Sequence, residues 1–269
     1  MISTTGMPAQ ARTVLVVADQ AETQTRILGH ARAQGHSVIS ASTPALGLAT
    51  FDKAQPDFVI TDLFLPEQDG VMLVKQIRDR RPTCPVVLLT DADRVESTME
   101  GLRAGAFDYV EQPIQEDAFA QVLKGVTYSL SASVMSETVV LDISEALKNA
   151  EGDQELFLAS ARRFLQESPK EIAAVRALLE RQDRAGSIEI AHRLKESVME
   201  LCAPRLFVSV KRLEQLGRLG KFAEALPVCV DVETRLAEAH TVLRELIAGG
   251  FPTWWLLLVR LYRHVPCSS

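Results

Sequence analysis

Four cysteines, at positions 84, 202, 229 and 267, are scattered through 269 residues with no CxxC pair. That spacing argues against a zinc site and against a disulfide framework. Lysine and arginine never form a run, and no basic strand is studded with aromatics. A nucleic-acid surface is therefore not expected. No stretch reaches the roughly 18 consecutive apolar residues that a membrane span needs. The opening MISTTGMPAQAR has no apolar signal core, so a cytoplasmic chain is expected. What is present is ordinary for a folded protein: 47% hydrophobic, 24% charged, net charge −6. Such a composition excludes a disordered or fibrous chain, and the length suits two hydrophobic cores better than one.

The first half alternates short apolar runs with amphipathic stretches. Residues 13–18, 37–41, 57–61, 85–90 and 107–110 read as strands, the first a fully apolar run of the kind that is buried on both faces. Helical patterns follow at 21–34, 44–54, 71–79, 93–104 and 116–130, with Gly35 and Gly105 as helix stops. Five alternations predict a doubly wound, five-stranded parallel sheet. In such sheets chemistry collects at the carboxyl ends of the strands. Asp19, Asp62 and Thr90 occupy three such ends. Alone, a strand-end Asp is usually a turn or helix cap, and Thr90 is an equally good N-cap for the next helix. The convergence of all three makes the site reading the stronger one.

Four segments carry a resemblance: VLVVAD (14–19), PDFVITDLFLPEQDG (56–70), PVVLLTDAD (85–93) and GLRAGAFDYVEQP (101–113). Together, over about residues 12–130, they resemble the flavodoxin-like receiver domain of two-component response regulators. The resemblance implies that Asp62 accepts a phosphoryl group from a phosphohistidine. It further implies Mg²⁺ at Asp19, Asp62 and the backbone carbonyl of Phe64, and a switch made by Thr90 and Tyr109; with Ala18 in place of an acid, that Mg²⁺ is expected to bind weakly. Two positions depart from the family pattern. Ala18 stands where a second acid is usual, and Gln112 stands where a lysine precedes proline. A neutral Gln112 can still donate, although neutral hydrogen bonds are about half as strong as charge-assisted ones.

The second half is helical in pattern. Residues 153–168, 169–183, 186–202, 204–219 and 221–247 read as helices, with Pro169 opening the second and Pro227 interrupting the last. Short connections predict an antiparallel bundle. The segments LDISEALKNAEGDQELFLASARRFLQ (141–166) and IAHRLKESVMELCAPRLFVSVKRLEQL (190–216) resemble a histidine phosphotransfer domain over about residues 139–248. The resemblance makes His192 the phosphoaccepting histidine and Lys195 its supporting cation. Their i,i+3 spacing places them on one face, with Glu196 beside them on the surface. Glu196 and Cys202 stand where the family prefers glycine. An acid at 196 limits the approach of a partner.

The expected organisation is an N-terminal extension (1–11), a receiver (12–130), a small-residue linker (131–138), a phosphotransfer bundle (139–248) and a tail (249–269). The tail holds both tryptophans, and three roles fit it: contact of 251–261 with a membrane surface, packing on the bundle, or association. The expected function is a phosphorelay step without a kinase catalytic domain, hence not an enzyme in its own right. Its partners would be a sensor histidine kinase or hybrid kinase, and a further receiver domain. The alternative is a docking protein with a degenerate receiver that works by binding alone, the reading that Ala18, Gln112 and Glu196 favour.

Overall fold

The computed structural model describes residues 11–66, 68–91, 93–134 and 139–249. The chain divides between Ser133 and Val134 into two compact units.

The first unit runs β1 (Thr13–Val17), α1 (Ala21–Ala33), β2 (Ser37–Ala41), α2 (Pro44–Ala54), β3 (Phe58–Asp62), α3 (Gly70–Arg80), β4 (Val86–Asp91), α4 (Val95–Arg103), β5 (Asp108–Gln112) and α5 (Glu116–Val134). The sheet order is β2-β1-β3-β4-β5, and every pairing is parallel. Helices cover both faces, so the central strands are apolar throughout. Val14, Leu15, Val16 and Val17 are all fully buried, although consecutive residues point to opposite faces. On one face Val14, Val16, Ile60 and Leu89 pack against Ile27 of α1 and Phe119, Leu123 and Val126 of α5. The strand order reverses between β1 and β3. Asp19 and Asp62 flank that switch point, where the ends of neighbouring strands part and leave a crevice.

One glycine fixes the loop after β3. A Cβ on Gly70 would lie 2.2 Å from the carbonyl oxygen of Asp62 and 2.9 Å from the Leu63 Cα. Only glycine lets the start of α3 come so close to the backbone that carries Asp62. Asp69 caps the same helix by accepting from the Val71 amide at 2.9 Å.

The second unit comprises α6 (Ile143–Asn149), α7 (Gln154–Glu180), α8 (Arg184–Glu200), α9 (Pro204–Arg218) and α10 (Phe222–Gly249). Helix α7 packs on α8 and α10, and α9 packs on the same two. Three-residue connections reverse the chain between these long helices, giving an antiparallel four-helix bundle. Each connection has a left-handed residue at its centre: Gln182 (φ 58°), Cys202 (φ 51°) and Gly220 (φ 66°). Each also closes the same way. The Asp183, Ala203 and Lys221 amides reach back to the carbonyls of Leu178, Val198 and Leu216, a Schellman pattern that satisfies the last turn.

Several sequence expectations change. The helix expected to start at Pro169 is instead continuous with the one before it, because Pro169 lies inside α7 on its exposed side. The Leu165 carbonyl that a proline leaves free can there bond water. Pro227 is likewise exposed within an unbroken α10. Helix α6 has no counterpart in the expected elements. Helix α5 continues through the stretch read as linker as far as Val134. Among the described residues no helix is long and apolar enough to cross a membrane. The tail beyond Gly249, with its expected roles, lies outside the described residues.

Candidate functional site

In the first unit the strand ends bring Asp62, Asp19, Asp91 and Gln112 to one edge of the sheet. Asp62 is the last residue of β3 and only 6% exposed. The Gln112 side-chain amide donates to its Oδ1 at 3.3 Å, and the Asp19 backbone amide also donates to its carboxylate. Burial, the negative charge of Asp19 and that of Asp91 nevertheless push the Asp62 carboxyl up to about 7. A carboxyl raised by burial and like charge is one that a cation would relieve. Asp91 lies within the segment 85–93 but is not among the expected site residues, because Thr90 already marks that strand end.

Ala18 is fully buried within the core. Its carbonyl and that of Ala41 both accept from the Gln24 side-chain amide, which ties the ends of β1 and β2 together. Among the described residues no group of three His, Cys, Asp or Glu side chains gathers as a metal site. Asp19 and Asp62 make a two-carboxylate set, which suits an ion that keeps several of its waters, as Mg²⁺ does. The Phe64 ring, two residues beyond Asp62, is exposed beneath the Arg94 guanidinium, 5.1 Å from its centroid.

Thr90 is buried and its hydroxyl lies 2.7 Å from that of Thr98 on α4. Tyr109 is partly buried on β5, two residues before Glu111, the register partner of Thr90.

In the second unit His192 lies on α8 with its side chain 45% exposed. Its Nδ1 is 2.9 Å from Oε1 of Glu214 on α9, and its Nε2 is 3.5 Å from Oε1 of the exposed Glu196. Lys195 departs from the expected surface position. It is 9% exposed, and its Nζ donates to Oε2 of Glu214 at 2.7 Å. The turn of α8 that presents His192 outward carries Lys195 toward α9. Arg218 completes the cluster with a 2.7 Å hydrogen bond to Oε1 of Glu214. Burial alone would raise the Glu214 carboxyl. The His192 hydrogen bond, Lys195 and Arg218 together outweigh it and hold the group well below the usual carboxylate range.

Glu214 was missed in the sequence, although a signal exists. It is four residues after Val210, on the buried stripe of α9, where an unpaired acid would be costly. Cys202 is fully buried at φ 51°, with the Asn149 amide donating to its Sγ at 3.2 Å. A preference for glycine there is thus conformational as well as steric.

Family models match both halves. Residues 14–124 match the response regulator receiver domain, and residues 160–246 match the Hpt domain.

The chain carries a receiver domain and an Hpt domain.

The chain is similar to the regulatory protein AtoC of Escherichia coli K12, at 36% identity over 104 residues, 38% of this chain and 23% of that protein. It is also similar to the probable transcriptional regulatory protein TcrX of Mycobacterium tuberculosis, at 35% identity over 101 residues, 38% of this chain and 43% of that protein. The match thus spans less than half the length of either curated relative. Among solved structures, the chemotaxis response regulator CheY4 of Vibrio cholerae shares 25% identity at a TM-score of 0.41, covering 44% of this chain and 99% of that one.

Proposed function

We propose that this chain is a phosphorelay component that accepts a phosphoryl group on Asp62 and exchanges phosphoryl through His192. The observation that carries the proposal is the setting of the His192 ring. An ionised Glu214 can only accept, so the proton between it and His192 resides on Nδ1. The lone pair of a neutral ring is then on Nε2, the nitrogen that faces the exposed Glu196.

At Asp62, a carboxylate oxygen attacks the phosphorus of a partner's phosphohistidine. The P–N bond breaks, its electron pair stays on the imidazole, and an acyl phosphate forms. The Gln112 amide and the Thr90 hydroxyl are the local donors for the phosphoryl oxygens. Asp62, Asp19 and the Phe64 carbonyl would hold Mg²⁺, which when bound neutralises charge on the moving group. At His192, Nε2 attacks the phosphorus of an aspartyl phosphate. The P–O bond breaks, and the aspartate leaves with the electron pair. The ring then carries a positive charge that Glu214 stabilises through Nδ1–H. Lys195 acts here by fixing Glu214, a role that fits its burial. The donor is a sensor histidine kinase or hybrid kinase. A further receiver is the natural exchange partner of His192, and the setting is the cytoplasm.

A second reading, docking without phosphorylation, is favoured by Glu196 lying 3.5 Å from Nε2 and by Ala18 supplying no carboxylate. Labelling with acetyl phosphate and Mg²⁺, and with a phosphorylated kinase, separates the two. Transfer predicts a base-labile label that Asp62→Asn removes and an acid-labile label that His192→Gln removes. Absence of both labels leaves docking.

A further inference from the structure

Thr90 and Thr98 form a closed hydrogen-bond account. Thr90 is at the end of β4 and Thr98 in the first turn of α4, and both are nearly fully buried. The Thr98 hydroxyl donates to the Arg94 carbonyl at 2.8 Å. A hydroxyl has one proton. Either hydroxyl can be the donor in the 2.7 Å contact between them, and both bonds stay short only when Thr90 donates and Thr98 accepts. Among the described residues, the other acceptor near Thr90 is the Asp91 carbonyl, at a weak 3.4 Å. The single proton of Thr90 is thus committed to α4.

The same turn of α4 has a second attachment. Arg94, whose carbonyl receives the Thr98 proton, lays its guanidinium over Phe64, two residues beyond Asp62. The start of α4 therefore touches both the β4 end and the loop that follows Asp62.

We propose that Thr98 is a positioning residue that holds Thr90 in its resting state and couples the state of Asp62 to α4. This rests on the reading of Asp62 as the phosphoacceptor. For Thr90 to donate to a phosphoryl oxygen on Asp62, its proton must leave Thr98. Thr98 then loses its donor inside the protein, and a buried acceptor without a partner is unfavourable. The first turn of α4 shifts to find another, and its hold on Phe64 loosens with it. The hydroxyl of Thr98 is thereby a brake on phosphorylation and the means by which phosphorylation reaches α4.

Thr98→Val keeps the shape and removes the acceptor, and Thr98→Ser keeps the hydroxyl. In the full chain, acetyl phosphate labelling should be about fivefold higher in Thr98→Val, the worth of one net hydrogen bond. Hydrogen exchange of the α4 amides should respond to labelling in the parent and in Thr98→Ser, and not in Thr98→Val. Label on Thr98→Val when the parent takes none would also support the brake. Equal labelling together with an unchanged exchange response in Thr98→Val would overturn the role of Thr98 while leaving Asp62 as acceptor. No Asp62-dependent label in any variant would overturn the reading of Asp62 itself, and the role of Thr98 with it.

Discussion

Nδ1 of His192 lies 2.9 Å from Oε1 of Glu214, a carboxylate that also binds Lys195 and Arg218. One buried acid thus orients the ring and neutralises a buried lysine. Removing it leaves Lys195 without its partner in the interior. Glu214→Ala should cost about 3–5 kcal/mol, the usual effect of breaking a buried ion pair from one side. The loss should be read as faster hydrogen exchange in α8 and α9. Glu214→Gln keeps the shape and should cost less, yet it no longer fixes the proton on Nδ1. The sign with pH follows from the lowered carboxyl. Its contribution is fully present above the ordinary value of 4.5 and is lost as pH falls below it. Exchange protection of α9 that stays constant under acidification through that range would count against the cluster.

The Asp62 carboxyl has the opposite sign. Its folded value of about 7 lies above the ordinary 3.8. The folded state keeps a proton that the unfolded state releases, so this contribution is full below 3.8 and is lost as pH rises to about 7. Asp62→Asn removes the titration. Its melting temperature should exceed that of the parent, by a margin that grows between pH 5 and pH 8 to roughly 5 °C. A margin independent of pH would place Asp62 outside the charge cluster of Asp19 and Asp91.

Strand ends were legible in the sequence because polar residues interrupt fully apolar runs there: Asp19, Asp62 and Thr90 each announce themselves this way. The bundle half was legible in its helical stripes, but its breaks were misplaced. Pro169 was read as a start because proline disfavours a helix interior. Its place on the exposed side of a continuous helix depends on where α7 packs, which the local pattern does not carry. The left-handed turn residues Gln182 and Cys202 carry no compositional mark, whereas Gly220 does. Glu214 and Thr98 are hard to assign from sequence for a shared reason, although the place of Glu214 on a buried stripe is itself a signal. Each is a polar residue on a buried helix stripe, meaningful only through a partner on another element.

Ala18 allows a test of the cation site. The side chain is fully buried beside the Asp19–Asp62 edge, so Ala18→Asp places another carboxylate against two existing ones. Without a cation this should destabilise the receiver half by about 1–3 kcal/mol, through desolvation and repulsion. Mg²⁺ binds the folded state selectively and so adds stability in proportion to its affinity. The rise in melting temperature on adding Mg²⁺ should therefore be larger in Ala18→Asp than in the parent. Equal rises would show that this edge is not where the ion binds.

Glu196 faces the ring nitrogen of His192 that Glu214 does not bind. The Glu196 carboxylate lies 3.5 Å from Nε2, and both side chains are about half exposed. As an exposed i,i+4 pair, its effect on helix stability is small, about 0.2–0.5 kcal/mol. Its effect on transfer should be larger, since the phosphorus must approach Nε2 in line and arrives with negative charge. Removing the carboxylate takes away both an obstacle and a repulsion. Transfer from a phosphorylated receiver should rise severalfold in Glu196→Ala and in Glu196→Gly, and less in Glu196→Gln, which keeps the bulk and loses the charge. Glycine alone should also weaken α8, by about 1 kcal/mol relative to alanine. Comparing those two variants separates access from helix loosening. Rates that follow stability, with alanine equal to the parent and glycine alone different, would mean that Glu196 does not guard the ring. Rates that rise equally in both would fix its role as an electrostatic and steric gate at His192.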